Sequence, residues 1–301
     1  MKVAGLALAV ALVVWYVVIP YPWTLRTRDP ERTSLMEQRA REAVEAGTVL
    51  EIRQAWAPLD EISPNLVRAV LVAEDYRFRE HDGIDWVSLA EEVRWSGDDD
   101  FSWSSPSDLG ALARALRYAW VHREELRGRS TITQQLAKNL YYGTRRSFLR
   151  KVTELVVARR LERRLGKDRI LELYLNVAEW GPGIFGADAA AHAYFGVSAA
   201  SLTLDQAATL AATLPHPLTS NPARRPGRML WRRDLILSRI DPTRGIPPEP
   251  LPFPSPEIDI PLPEVDLQVP VGDSGRPAPE AIPDTVGTLP DSAGGSRGSP
   301  R

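Results

Sequence analysis

Cysteine is absent from the 301-residue chain, and histidine is scarce, with four. The first absence excludes disulfides, a thiolate nucleophile and a Cys-ligated zinc site; the second confines imidazole chemistry to His81, His122, His192 and His216. A charge excess is also missing, since 37 Lys and Arg stand against 39 Asp and Glu for a formal net charge of -2. The whole chain therefore offers no electrostatic case for a nucleic-acid partner, and none is expected. What is present, 44% hydrophobic and 25% charged residues, is the composition of a folded protein and excludes a fully disordered or fibrous one.

The two ends differ from the middle. Val3 to Ile19 contains no charged side chain, and as a helix it would run roughly 26 Å at ~1.5 Å per residue. Adding Pro20 to Trp23 brings the apolar run close to the ~20 residues that span a bilayer, and Trp15, Tyr16, Tyr21 and Trp23 suit an interfacial aromatic belt. A cleaved signal peptide is the alternative. No small-x-small cleavage pattern follows the run, where Ile19-Pro20-Tyr21-Pro22-Trp23 stands, so an uncleaved transmembrane anchor over residues 1–23 is expected, with the bulk of the chain outside the cytoplasm. At the other end, residues 241–301 hold 15 of the 26 prolines, with ten acidic and four basic residues. Such a segment cannot bury much apolar surface, and a Pro-rich acidic disordered tail, acting as a solvated spacer, is expected from Asp241 onward.

Between the ends the periodicity is mostly helical. Asp29-Pro30 is read as the start of a linker helix that runs to Gly47, within a linker spanning residues 24–47. A short extended stretch from Val49 to Trp56 follows, then Ser63-Pro64 opens a second helix with Leu66, Val70, Leu71 and Ala73 on one face. That helix delivers Glu74-Asp75 at its C-terminal end, where the helix dipole is negative and disfavours carboxylates. Helix stability did not put them there. Residues 95–110 read as loop, with helix resuming near Leu109, and the run Asp98 to Asp100 lacks ligand spacing and is read as solvated rather than metal-binding. Helical spacing recurs over Thr131 to Tyr142, Arg150 to Leu165 and Asp168 to Val177, and Thr203 to Gln206 reads as a capping box for a helix through Leu214.

Two features need weighing. Gly181, Gly183 and Gly186 spell G-x-G-x-x-G, but the dinucleotide fingerprint requires a preceding strand, and Asp168 to Val177 reads as helix, so the glycines are expected in a tight turn between helices. From His122 to Arg169 there are fourteen basic residues against five acidic ones. Most of them suit a solvated face; with Leu140, Tyr141, Tyr142, Phe148 and Leu149 interleaved, the segment also suits a lipid-linked phosphate or an anionic bilayer surface.

Five segments then take on meaning together: VAEDYRFREHDGID (Val72 to Asp85), GRSTITQQLAKN (Gly128 to Asn139), RKVTE (Arg150 to Glu154), KDRILELYLN (Lys167 to Asn176) and GIFGADAAAHAYFG (Gly183 to Gly196). In this order they resemble the five motifs of glycosyltransferase family 51, the peptidoglycan glycosyltransferases. WAPLDEISPNL (Trp56 to Leu66) and LPHPLTSNP (Leu214 to Pro222) are similar to the monofunctional biosynthetic members. The resemblance covers about residues 48–240, the expected glycosyltransferase domain, and departs from the family pattern at residues 95–110, which lengthen the segment between the first two motifs. No transpeptidase domain is expected after it.

The resemblance implies a mainly α, lysozyme-like bilobal fold whose smaller lobe rests in the membrane. It implies glycan-chain polymerisation from lipid II at the outer, periplasmic face of the cytoplasmic membrane: an acceptor GlcNAc 4-hydroxyl attacks the anomeric carbon of a lipid-linked donor with inversion, releasing undecaprenyl pyrophosphate. A sugar hydroxyl is a poor nucleophile until a base takes its proton, a contribution of typically ~10²–10⁴-fold, and the resemblance gives that role to Glu74. The leaving diphosphate calls for preplaced cations and donors. Family matching gives this task to Lys138 and Arg150 with Lys151 nearby, makes Ser130, Thr131, Gln135 and Asn139 candidate polar contacts, and carries over Glu154 as a second acid that orients the donor or those cations. His81 is left as a residue shaping its turn, and Asn176, Gly183 and Gly186 as supports of the cleft. No metal ligands are assigned; a divalent metal, Mg or Mn, is suggested by family resemblance alone. Expected partners are lipid II, the nascent glycan chain, the membrane and, through the tail, cell-wall synthesis or division proteins. Two readings stay open beside this one: a lysozyme-like cell-wall lyase or hydrolase, and a non-catalytic cell-wall scaffold.

Overall fold

Among the residues that the structure describes, seven helices begin where a short hydroxyl or carboxylate side chain precedes an apolar repeat. Thr33 caps α1 (Ser34–Glu45), Ser63 caps α2 (Pro64–Glu74), Asp85 caps α3 (Trp86–Glu92) and Ser105 caps α4 (Pro106–Val121). Thr131 caps α5 (Ile132–Tyr141) and Ser147 caps α6 (Phe148–Arg164). After α7 (Lys167–Val177) and α8 (Ala187–Phe195), Thr203 caps α9 (Leu204–Thr213) in a full capping box with Gln206. Each cap accepts a first-turn N–H, a contribution of about 1 kcal/mol. The last helix, α10 (Pro226–Ile240), instead starts on a proline, whose missing N–H costs nothing there. The computed structural model describes residues 14–97, 102, 105–122, 130–144 and 147–247, all within one compact unit, Met1–Ile258. The fold is mainly α-helical.

The core forms where α9 packs on α2 and α10, and α5 packs on α6 and α7. Leu66 and Val70 of α2, Leu136 of α5, Leu161 of α6, Leu171 and Tyr174 of α7 and Leu210 of α9 are buried. The contact face of α9 is largely alanine, with Ala207, Ala208, Ala211 and Ala212 buried, and side chains this small let the neighbouring helices approach closely. A small sheet of order β1-β3-β2 lies beside α8: β1 (Arg53–Gln54) pairs in parallel with β3 (Ile184–Phe185), which pairs antiparallel with β2 (Glu179–Gly181). The glycines of the G-x-G-x-x-G string thus belong to a hairpin, not to a turn directly joining two helices. Gly183 has φ +73°, and a Cβ there would lie 2.3 Å from the Glu51 carbonyl oxygen, so only glycine lets β1 approach.

Several boundaries differ from the sequence reading. The linker helix starts at Ser34, because Asp29 is an ion-pair partner and not a cap: Arg169 Nη2 donates to Asp29 Oδ1 at 2.7 Å and to the Arg28 carbonyl at 3.1 Å. Helix α4 starts at Pro106, three residues before Leu109, on the Ser105 cap. At the C-terminal end, a 3-10 turn over Pro242–Arg244 carries ordered structure past Asp241. The rest of the expected tail, residues 248–301, lies outside the described residues, as does the Asp98 to Asp100 run.

Most of the expected anchor, residues 1–13, also lies outside them. Among the described residues no helix is long and apolar enough to cross a membrane. Residues 14–18 are helical, and their C-terminal end is held by Arg160, which donates to the carbonyls of Tyr16 at 2.6 Å and Pro20 at 3.2 Å and also to that of Ile19. Its guanidinium lies over the rings of Tyr16 and Tyr21. Part of the basic face of α6 is therefore turned inward, where it satisfies carbonyls that a helix end leaves without intrahelical partners.

Candidate active site

Glu74 is the last residue of α2, and its side chain is 12% exposed. Its two oxygens have different surroundings. Oε2 accepts from Gln135 Nε2 at 2.9 Å, whereas Oε1 is buried without a hydrogen-bond partner among the described residues and faces Arg232 Nη2 at 3.5 Å. Burial pushes the Glu74 carboxyl above its ordinary range; the Gln135 hydrogen bond and the charges of Arg232 and Lys138 pull it back only in part, and Asp75 adds to the rise.

The orientation of Gln135 follows from its neighbours. Its Nε2 faces two acceptors, Glu74 Oε2 and the Ser130 carbonyl at 3.3 Å, so its Oε1 must face the Tyr174 hydroxyl, which donates to it at 3.1 Å. Tyr174 is fully buried on the inner face of α7. A chain of donors thus runs from the core to the carboxylate: Tyr174 to Gln135 to Glu74.

A second cluster stands on the first turns of α6. Glu154 is buried, with its side chain 3% exposed, and pairs with Arg150 through Oε1 and with Lys151 Nζ at 3.6 Å through Oε2. Lys151 also donates to Ser130 Oγ at 2.8 Å and Gln134 Oε1 at 3.1 Å, which ties α6 to the start of α5. Burial first, then repulsion from Arg150 and Lys138, lowers the Lys151 ammonium to about 8. Lys138 is lowered as well, by burial and by Arg150, with Glu74 and Glu179 opposing. Lys138 thus links the two clusters, one cation that senses both Glu74 and Arg150.

The remaining expected contacts divide. Ser130 is half-buried and serves both clusters, through its hydroxyl and its carbonyl. Thr131 is turned inward: it caps α5 and donates to the Gly83 carbonyl at 2.7 Å. Asn139 is buried, with Oδ1 making no hydrogen bond among the described residues. His81 accepts from the Gly83 N–H at Nδ1, which leaves Nε2 as the protonated nitrogen facing Asp75 Oδ1 at 2.9 Å. Asn176 pairs with both backbone groups of Ala57, its Oδ1 accepting at 2.9 Å and its Nδ2 donating at 2.8 Å.

Two groups at the site escaped the sequence reading. Arg232 sits on α10, outside all five motifs, and no local pattern ties it to Glu74. Tyr174 lies in the fourth motif without a role of its own; a hydroxyl on an apolar helical face was the available signal that it needed a partner. Glu179 of β2 is a third neighbour of Lys138, held by Arg39 of α1 through Nε and Nη2 at 2.9 Å each.

No group of three or more His, Asp or Glu side chains able to hold a metal ion occurs among the described residues, and both carboxylates of the site face cations. The described residues of the site therefore offer cation partners for these carboxylates rather than a set of ligands for a divalent metal. A separate groove of about 620 Å³, walled by Leu59, Val67, Leu71 and Ile240, contains none of the expected site residues.

Comparison with known proteins places these features in one lineage. Residues 42–97 and 89–241 match the transglycosylase family, two matches that overlap over residues 89–97. The chain is 39% identical over 230 residues to the biosynthetic peptidoglycan transglycosylase of Bordetella avium (strain 197N), covering 76% of this chain and 84% of that one. It is 41% identical to that of Bordetella pertussis (strain Tohama I / ATCC BAA-589 / NCTC 13251), with the same coverage. Over 234 residues it is 38% identical to that of Janthinobacterium sp. (strain Marseille), covering 78% and 91%.

Proposed function

Because this chain belongs to the transglycosylase family and is a peptidoglycan glycosyltransferase that polymerises glycan chains, we propose that Glu74 is its general base and that the cations of α5 and α6 receive the leaving diphosphate. The observation that carries this reading is the asymmetry of Glu74. One oxygen is fixed by Gln135, and the other is buried with a lone pair unused. An oxygen so placed is the one to take a proton from the acceptor 4-hydroxyl of the growing glycan or lipid II. As that O–H bond breaks, the hydroxyl oxygen bonds to the anomeric carbon of the donor, and the bond from that carbon to the diphosphate oxygen breaks with its electron pair. The charge gathers on undecaprenyl pyrophosphate.

Lys138, Arg150 and Lys151 supply the preplaced positive charge for that leaving group. Glu154 holds Arg150 and Lys151 in place, and Ser130 and Gln134 orient Lys151, so the cations need not reorganise when charge develops. Asn139 and Gln135 complete the polar wall, and Thr131 contributes by fixing the start of α5.

We place the enzyme at the cytoplasmic membrane with this domain on the outer face. The apolar segment Val3 to Ile19, the exposed Tyr21 and Trp23, and the exposed Trp86, Val87 and Leu89 of α3 and Leu109 and Val121 of α4 support that placement. The Pro-rich acidic tail, residues 241–301, is a spacer in this reading. Glu74→Gln tests the base: the full-length variant should bind lipid II yet lose polymerisation by about 10²-fold or more. Near-normal glycan synthesis by the folded variant would remove Glu74 from the role.

A further inference from the structure

The five motifs account for only one side of Glu74. Gln135 and, behind it, Tyr174 hold Oε2, whereas among the described residues Oε1 has Arg232 beside it. Arg232 comes from α10, about 80 residues after α6 begins, and packing of α10 against α2 brings it there. Its guanidinium is largely buried, which lowers its own affinity for a proton, and Glu74 is the one charge that opposes this; Arg239 and Arg228 add to the lowering. Among the described residues Glu74 is the acid that faces it, so the carboxylate offsets part of the cost of burying this cation.

The geometry points to Arg232 as a positioning residue of the polymerisation reaction, which holds the Oε1 edge of Glu74 opposite the grip of Gln135 on Oε2. The inference rests on the reading of Glu74 as the base. At 3.5 Å the contact is too long for a good hydrogen bond. It therefore attracts Oε1 electrostatically without using the lone pair that must accept the proton. A closer, directly hydrogen-bonded arginine would occupy that lone pair and weaken the base.

The charges around Glu74 make Arg232 the lever. Asp75, next in the chain, repels it; Lys138 of α5 attracts it but is shared with Arg150 and Glu179; Tyr174 of α7 presents a neutral hydroxyl; and α9, packed on both α2 and α10, presents buried alanines. Removing the guanidinium leaves burial of Glu74 opposed by Gln135 and the shared Lys138. The carboxyl then stays protonated to higher pH, and its free oxygen loses its guide.

The test is steady-state polymerisation of lipid II by the full-length enzyme in detergent, across pH, for Arg232→Gln, Arg232→Met and Arg232→Lys. For the two neutral variants the acid limb of kcat/KM should move up by about half to one pH unit, and kcat near neutral pH should fall about tenfold with KM changed less than about twofold. Arg232→Lys should recover most of both. Should the glutamine variant fail to fold, the methionine variant, which leaves no unpaired amide, carries the measurement. A folded neutral variant with an unmoved acid limb, or one that loses only affinity for lipid II, overturns the inference. Glu74→Gln separates this from the parent reading: if that variant polymerises normally, the base assignment fails; if it is inactive while Arg232→Met behaves as wild type, only the role of Arg232 fails.

Discussion

Asp75 Oδ2 accepts the backbone N–H of Ile132 at 2.9 Å, so the carboxylate that ends α2 sits on the first turn of α5. This relationship explains a pair of acids that is poorly placed for its own helix. The negative C-terminal end of α2 disfavours Glu74 and Asp75, but the positive N-terminal end of α5 compensates Asp75. The same contact sets the distance between Glu74, one residue before Asp75, and Gln135, three residues after Ile132. Two adjacent carboxylates thus divide the work: Asp75 locks the two helices, and Glu74 reaches Gln135 and Arg232.

Asp75→Asn should therefore destabilise the protein. An asparagine that keeps its oxygen on the Ile132 N–H must turn its amide toward His81 Nε2, and Nε2 is itself a donor because Nδ1 accepts from the Gly83 N–H. Two donors then face each other in a buried site. The cost should be about 1–3 kcal/mol, read as a fall in Tm of roughly 2–4 °C per kcal/mol. A variant with unchanged Tm would show that the lock is not what holds α2 to α5.

Most of the helices were legible in the sequence, and two caps with them, because Ser63-Pro64 and the Thr203 to Gln206 box carry their signals within a few residues; α3, α10 and the caps Thr33, Asp85, Ser105 and Ser147 were not. What misled the reading was competition for a side chain: Asp29 looked like a cap until Arg169, 140 residues away, claimed it. The cleft divides in the same way. Glu74, Lys138, Arg150 and Glu154 lie in local motifs and could be named from them. The closure of the site by Arg232 and the Tyr174 hydroxyl depends on how α10 and α7 pack, which no local pattern encodes. Much of the basic run from His122 to Arg169 reads as a uniform charged face, yet Arg160 and Arg169 are spent on carbonyls of residues 16–28. Sign and number of charges were visible; their direction was not.

Lys151 offers a pH handle on diphosphate binding. Its ammonium titrates near 8 in the free enzyme, and only the protonated form attracts an anion. As pH rises through about 8, the free enzyme loses this charge, so KM for lipid II should rise while kcat changes less. Lys151→Met should raise KM at neutral pH and remove this alkaline rise. If the variant keeps the same rise of KM above pH 8, the titrating group is elsewhere.

Glu74→Gln makes a second prediction, on stability and with the opposite sign to its effect on activity. Burial holds the folded-state Glu74 carboxyl above its ordinary value despite Gln135, Arg232 and Lys138. For an acid raised in this way, the contribution to stability is fully present below the unfolded-state value and is lost as pH climbs through the folded-state one. At neutral pH the ionised carboxylate is thus a net cost of the native state. Glutamine has nearly the same shape, keeps an oxygen for Gln135 Nε2 and carries no charge. The inactive variant should melt a few degrees above wild type at pH 7, on the order of 1 kcal/mol of added stability. The gap should close as pH falls toward the ordinary carboxylate range, where both side chains are neutral. Parallel thermal melts at pH 7 and in the carboxylate range measure this. A variant less stable than wild type at pH 7 would mean that the cations around Glu74 need its charge more than burial penalises it.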